Sequence, residues 1–90
     1  MKDYLLKIIG HYGLRTQLKY FQSEVFELNE AIISESFGED HIEHIAEEIA
    51  DVLVMLKQFQ LFFDIKDNDV KNIMNEKIKR QIVMIENEGC

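Results

Sequence analysis

The chain has 90 residues, 47% of them hydrophobic, with four glycines, no proline and one cysteine. That length allows a single domain spanning residues 1–90; the apolar content excludes a disordered chain, and the scarcity of turn formers favours long helices over a β fold. Ten basic against seventeen acidic residues give a formal charge of −7, which argues against nucleic acid as a partner.

Cys90 is the lone cysteine, so no internal disulfide is available, in keeping with a reducing compartment. MKDYLLKIIG is too sparsely apolar for a signal segment, and no stretch approaches a membrane span. A cytoplasmic location without membrane attachment is expected.

In chain order, DYLLKII reads as a short helix ending at Gly10, and GHYG punctuates. A second helix follows over about Leu14 to Ser34, with the seam Leu14, Leu18, Phe21, Val25, Leu28 and Ile32 at alternating spacings of four and three. SESFGED breaks it. Asp40 with Glu43 resembles a capping box and opens a third helix over about Asp40 to Phe63. Its seam is Ile42, Ile45, Ile49, Val52, Leu56, Phe59 and Phe63, the strongest periodic signal in the chain. DIKDND is the next break, and a last helix covers about Asp69 to Asn87. Asp64, Asp67 and Asp69 lack the glycine and terminal glutamate of a calcium loop and read as loop and cap residues. His41 and His44 have no thiolates or catalytic glutamate motif to accompany them and read as surface residues. The fold class is all-α: an antiparallel helical hairpin core with flanking helices, resembling a four-helix bundle. ADVLVML is apolar on every side, so the first and last helices must cover it or a further subunit must. Completion by oligomerisation is therefore expected.

Two acidic pairs stand out among these apolar runs: Glu24 with Glu27, and Glu48 with Asp51. At 100° per residue, Glu24 lies about 75° and Glu27 about 135° from the centre of their seam, and Glu48 and Asp51 repeat those offsets. Counted from Phe37, Glu27 lies ten residues before and Glu48 eleven after, Glu24 thirteen before and Asp51 fourteen after. In an antiparallel hairpin Glu27 then faces Glu48 and Glu24 faces Asp51. Such pairs are ordinary solvated charges on most helices. Matched in angle and height, they repel one another unless protons or a counter-ion intervene, and an all-oxygen set suits a hard cation such as Mg²⁺.

Glu-x-x-Glu, a separation of 20 residues, then Glu-x-x-Asp resembles the MazG-like all-α nucleoside triphosphate pyrophosphohydrolases. YGLRTQLKYFQSEVFELNEAI and EHIAEEIADVLVML read like segments of that family, and the resemblance covers roughly residues 12 to 86. It implies hydrolysis of a nucleoside triphosphate between its α and β phosphates, with Mg²⁺ (or Mn²⁺ as substitute) held by Glu24, Glu27, Glu48 and Asp51. One of these carboxylates, or Glu47, would orient or deprotonate the attacking water. The family's basic Lys-x-x-Arg element corresponds to Lys77 and Arg80. Lys77 lies beside Ile73 and Met74, where a lysine either snorkels or reaches phosphate oxygens. Met84 stands where many relatives carry a further arginine, leaving Lys57, Arg15 or another subunit to supply charge. Gln17 and Tyr20, on the same helix side as Glu24, are candidates for base or sugar contacts. The resemblance further implies a homodimer or homotetramer. The competing reading is a non-catalytic helical module, binding nucleotide or protein in a regulatory role on the same scaffold.

Overall fold

A computed structural model describes residues 1–34 and 39–89, apart from the side chains of residues 34, 39 and 40. It consists of four helices, α1 (Lys2–Tyr12), α2 (Leu14–Ser34), α3 (Glu39–Phe62) and α4 (Asp67–Glu88), with no strand among the described residues. The Asp40 side chain expected to cap α3 lies outside them. No described helix is long and apolar enough to cross a membrane.

The first helix corrects the expected break. α1 continues through Gly10 to Tyr12, because a lone glycine weakens a helix without ending it. Gly13 ends it instead, at φ 88° and ψ 154°, a backbone region that only glycine enters readily. Its N–H donates to the Ile9 carbonyl at 2.8 Å, and its own carbonyl accepts from Gln17 N–H as α2 begins.

α3 stops one residue before the expected Phe63. Asp64 adopts φ 55° and donates its N–H to the Leu61 carbonyl, while Ile65 N–H donates to Gln60. This pair of bonds is a Schellman closure, which turns the chain sharply out of the helix. α4 then starts two residues earlier than the charge pattern suggests, with Asp67 and Asp69 in its first turn, where acids suit the helix dipole. Asp67 also accepts from Lys57 Nζ and Gln60 Nε2, both at 2.7 Å, tying the root of α4 to the end of α3. These contacts hold the Asp67 carboxyl below its ordinary range, the Lys57 bond contributing most.

α2 and α3 pair antiparallel. The Phe21 and Phe59 rings meet edge to face at 5.4 Å, and Gln17 bonds Gln58 across the same gap. α1 lies against α3 and, less extensively, α2. Burial is sparse: Ile9, Ala31 and Met55 are the buried apolar side chains among the described residues. Of the segment that is apolar all round, Met55 is buried while Leu53 and Val54 stay exposed. α4 has no buried residue and packs along none of the other helices. The radius of gyration is consequently 16.5 Å, against roughly 12 Å for a compact domain of this length.

Candidate functional site

A spacing of seven residues returns to nearly the same side of a helix. Gln17, Glu24 and Ala31 form such a column on α2, and His41, Glu48 and Met55 form one on α3. Facing each other across the hairpin, the columns make one continuous side. Its composition changes along the length, with buried amides toward α1 and carboxylates at the middle.

In the middle, one carboxylate oxygen from each of Glu24, Glu27 and Glu48 lies within 4.8 Å of the others. Asp51 adjoins Glu24 closely enough to share a hydrogen bond with it. Burial pushes the Glu24 carboxyl above its ordinary range, and the charges of Asp51, Glu27 and Glu48 push it further. The physical cause is the same throughout: a negative charge on Glu24 loses water and gains like-charged neighbours. His44 Nε2 stands 3.9 Å from Glu48 Oε1. His41 and His44 are both half-buried rather than on the open surface: His41 heads the column of Glu48 and Met55, and His44 lies one turn before Glu48. Between Tyr20 and Leu56 the chain carries ten acidic residues and no lysine or arginine.

Glu24 Oε2 and Glu48 Oε2 are both buried with no hydrogen-bond partner. A buried carboxylate oxygen left unpaired is costly. The converging atoms are all oxygens, from two helices, a donor set that would suit a hard divalent ion better than a soft one.

Below the carboxylates, Gln17 is buried and donates from Nε2 to Gln58 Oε1 at 2.9 Å. Both amide nitrogens also point toward Met55 Sδ, at 3.9 and 3.7 Å. Gln17 Oε1 is buried without a partner. The amide of Gln17 thus faces the hairpin interior, not the open side expected of a base or sugar contact, whereas Tyr20 is exposed. Glu47 is exposed beside Glu48 and outside the convergent group. Lys77 and Arg80 are exposed on α4, ten and thirteen residues from its start and so roughly 15 and 20 Å along it. Lys57 is engaged with Asp67, and Arg15 is exposed.

Sequence reasoning missed Gln58, the most deeply buried side chain of this layer. The signal was present, since Gln58 follows Asp51 by seven residues and Gln17 precedes Glu24 by seven. An apolar trough of about 510 Å³ between α1, α3 and the root of α4 shares no residue with the carboxylate group. No family model, curated protein or solved structure matches the chain, so the candidate site stands on its own geometry.

Proposed function

We propose that this chain is a MazG-like nucleoside triphosphate pyrophosphohydrolase, dependent on Mg²⁺ and accepting Mn²⁺ in its place. Its substrates are standard or damaged nucleoside triphosphates, its products the monophosphate and pyrophosphate, and its role is control or cleansing of the cytoplasmic nucleotide pool. The observation that carries this reading is the carboxylate group shared by α2 and α3, with two buried oxygens left unpaired. Those oxygens fit a cation: ten acids with no lysine or arginine in the same stretch call for positive charge from outside the hairpin. Glu24, Glu27, Glu48 and Asp51 would hold it.

When bound, Mg²⁺ supplies neutralisation of phosphate charge and acidification of water. The chain's own residues do the rest. The hairpin fixes the four carboxylates on two rigid helices. One of these carboxylates, or the exposed neighbour Glu47, would orient the attacking water or take its proton. Lys77 and Arg80 would meet triphosphate oxygens, as charge-assisted donors. The active form is a homodimer or homotetramer, in which α4 finds the packing it lacks in one chain.

The test is to incubate the pure protein with each common NTP and dNTP, with Mg²⁺ or with chelator, and separate the products. Metal-dependent monophosphate and pyrophosphate are expected. Glu48→Ala should cut the rate by more than about 100-fold, beyond what loss of a supporting residue costs. Diphosphate and orthophosphate would mean a different scissile bond. No turnover by folded protein would favour the regulatory module instead.

A further inference from the structure

We infer that Gln17 and Gln58, joined beside Met55, are positioning residues that set the rotation of α2 against α3 and so bring the carboxylates together. This deepens the reading above. Its metal measurement rests on that reading, while its distance measurement does not.

The observed rotation is not centred on the apolar seams. α2 and α3 each carry two apolar layers with a period of seven. In one, Leu14, Phe21 and Leu28 on α2 and Ile45, Val52 and Phe59 on α3 are half-buried. In the other, Leu18, Val25 and Ile32 with Ile42, Ile49 and Leu56 remain 41–65% exposed. The most deeply buried side chains of the hairpin lie on the carboxylate side instead: Gln17 and Ala31 on α2, Met55 and Gln58 on α3, at 1–6% exposure. Gln17 and Ala31 share the column of Glu24, about 75° from the centre of the seam. Both helices are thus turned from their seams toward their carboxylates.

Apolar contact does not fix that turn. It is non-directional, the two layers adjoin, and the four carboxylates repel one another. Each of these permits or favours a turn back toward the seams. What distinguishes the observed rotation is a directional contact across the gap, the bond from Gln17 Nε2 to Gln58 Oε1 at 2.9 Å.

The amides also match the carboxylates in height. Counted from Phe37, Gln17 lies twenty residues before and Gln58 twenty-one after, the same offset as in the two acidic pairs. Gln17 lies seven residues from Glu24, and Gln58 seven from Asp51. On rigid helices, a bond that fixes the amides therefore fixes the carboxylates roughly 10 Å along.

Stability does not account for the amides. Gln17 Oε1 is buried without a partner. The remaining amide N–H groups meet only Met55 Sδ, at 3.9 and 3.7 Å, and a thioether is a weak acceptor. Leucines of similar size would fill the space without those costs. A buried polar contact of this kind selects one packing among several that apolar residues leave open.

The decisive variant is Gln17→Leu with Gln58→Leu, since removing both amides together need not destabilise. With chelator present, its melting temperature should equal or exceed that of the wild type. For the distance, nitroxides go on Tyr20→Cys and Val54→Cys, both exposed, in a Cys90→Ser background, with labelled chain diluted into unlabelled chain. Dipolar EPR should give one separation when the amides are present. Without them it should lengthen by roughly 5–10 Å or spread, as turning helices 10–12 Å across would produce. Mn²⁺ affinity, read from the signal of the free ion, should fall at least about 10-fold in the double variant.

An unchanged separation overturns the inference, whether or not the protein binds metal. So does wild-type Mn²⁺ affinity in the double variant. A double variant that melts well below the wild type, or does not fold, makes the pair an ordinary stabilising contact and overturns it too. A wild type that binds no Mn²⁺, yet shows the longer separation on substitution, sinks the metal reading and supports the positioning role.

Discussion

At the residue scale the decisive group is Glu24, whose carboxyl is raised by its own burial and by the acids around it. The folded chain thus holds this proton more tightly than the unfolded chain does. By linkage, the contribution to stability is fully present below the ordinary glutamate range and is lost as pH rises through the raised native value. The metal-free protein should therefore melt at a higher temperature near pH 4 than its other carboxylates alone would give, and lose that increment as pH rises through the raised value. Glu24→Gln, which keeps the shape without the charge, should flatten this part of the profile and stabilise the metal-free protein at pH 7. Scanning calorimetry of both proteins across that range with chelator present measures it, and a steeper profile in the variant would contradict the account. The acids themselves were legible in the sequence, because angle and height on a helix are simple arithmetic. Their burial was not, nor was that of Gln17, since periodicity gives a side chain's direction and not what lies over it.

At the scale of the element, α1 and its exit hold two glycines with opposite demands. Gly10 lies within a helix with open space where a Cβ would be, so Gly10→Ala should stabilise by about 0.5–1 kcal/mol. Gly13 also has open space, but its φ of 88° is hostile to any side chain, and Gly13→Ala should cost roughly 1–3 kcal/mol. Urea titrations of the two variants should shift their midpoints in opposite directions, although the substitutions are chemically identical and three residues apart. The contrast also explains how the sequence misplaced the end of α1. A glycine after an apolar run looks like a stop signal at either position, and only the backbone conformation separates them. The long helices were easier, because α2 and α3 repeat a seam over several turns and end in clusters of residues that favour turns. α3 still closed a residue early, through a left-handed Asp64 that polar composition alone does not locate.

For the whole molecule, the seam carries a lesson in what periodicity reports. It marks the side of a helix that avoids water and leaves open which neighbour provides the cover. In α2 and α3 one layer of that seam is used within the chain and the other is bare, while α4 shares the apolar pattern with no helix packed along it. In the proposed homodimer, association would cover these faces, and folding would be coupled to concentration. For a folded dimer that separates into unfolded monomers, each tenfold rise in protein concentration adds about 1.4 kcal/mol to the stability of the assembly. In a unit of two 90-residue chains, that corresponds to a melting temperature higher by roughly 3–6 °C. Melting curves by circular dichroism at concentrations spanning two decades should show that shift at each step, at constant salt so that screening of the acidic chains does not change. A monomer that folds alone would melt at one temperature throughout. Ile49→Lys should lose the dependence together with much of its helix signal, because the layer it interrupts is the part of the core that a single chain leaves uncovered.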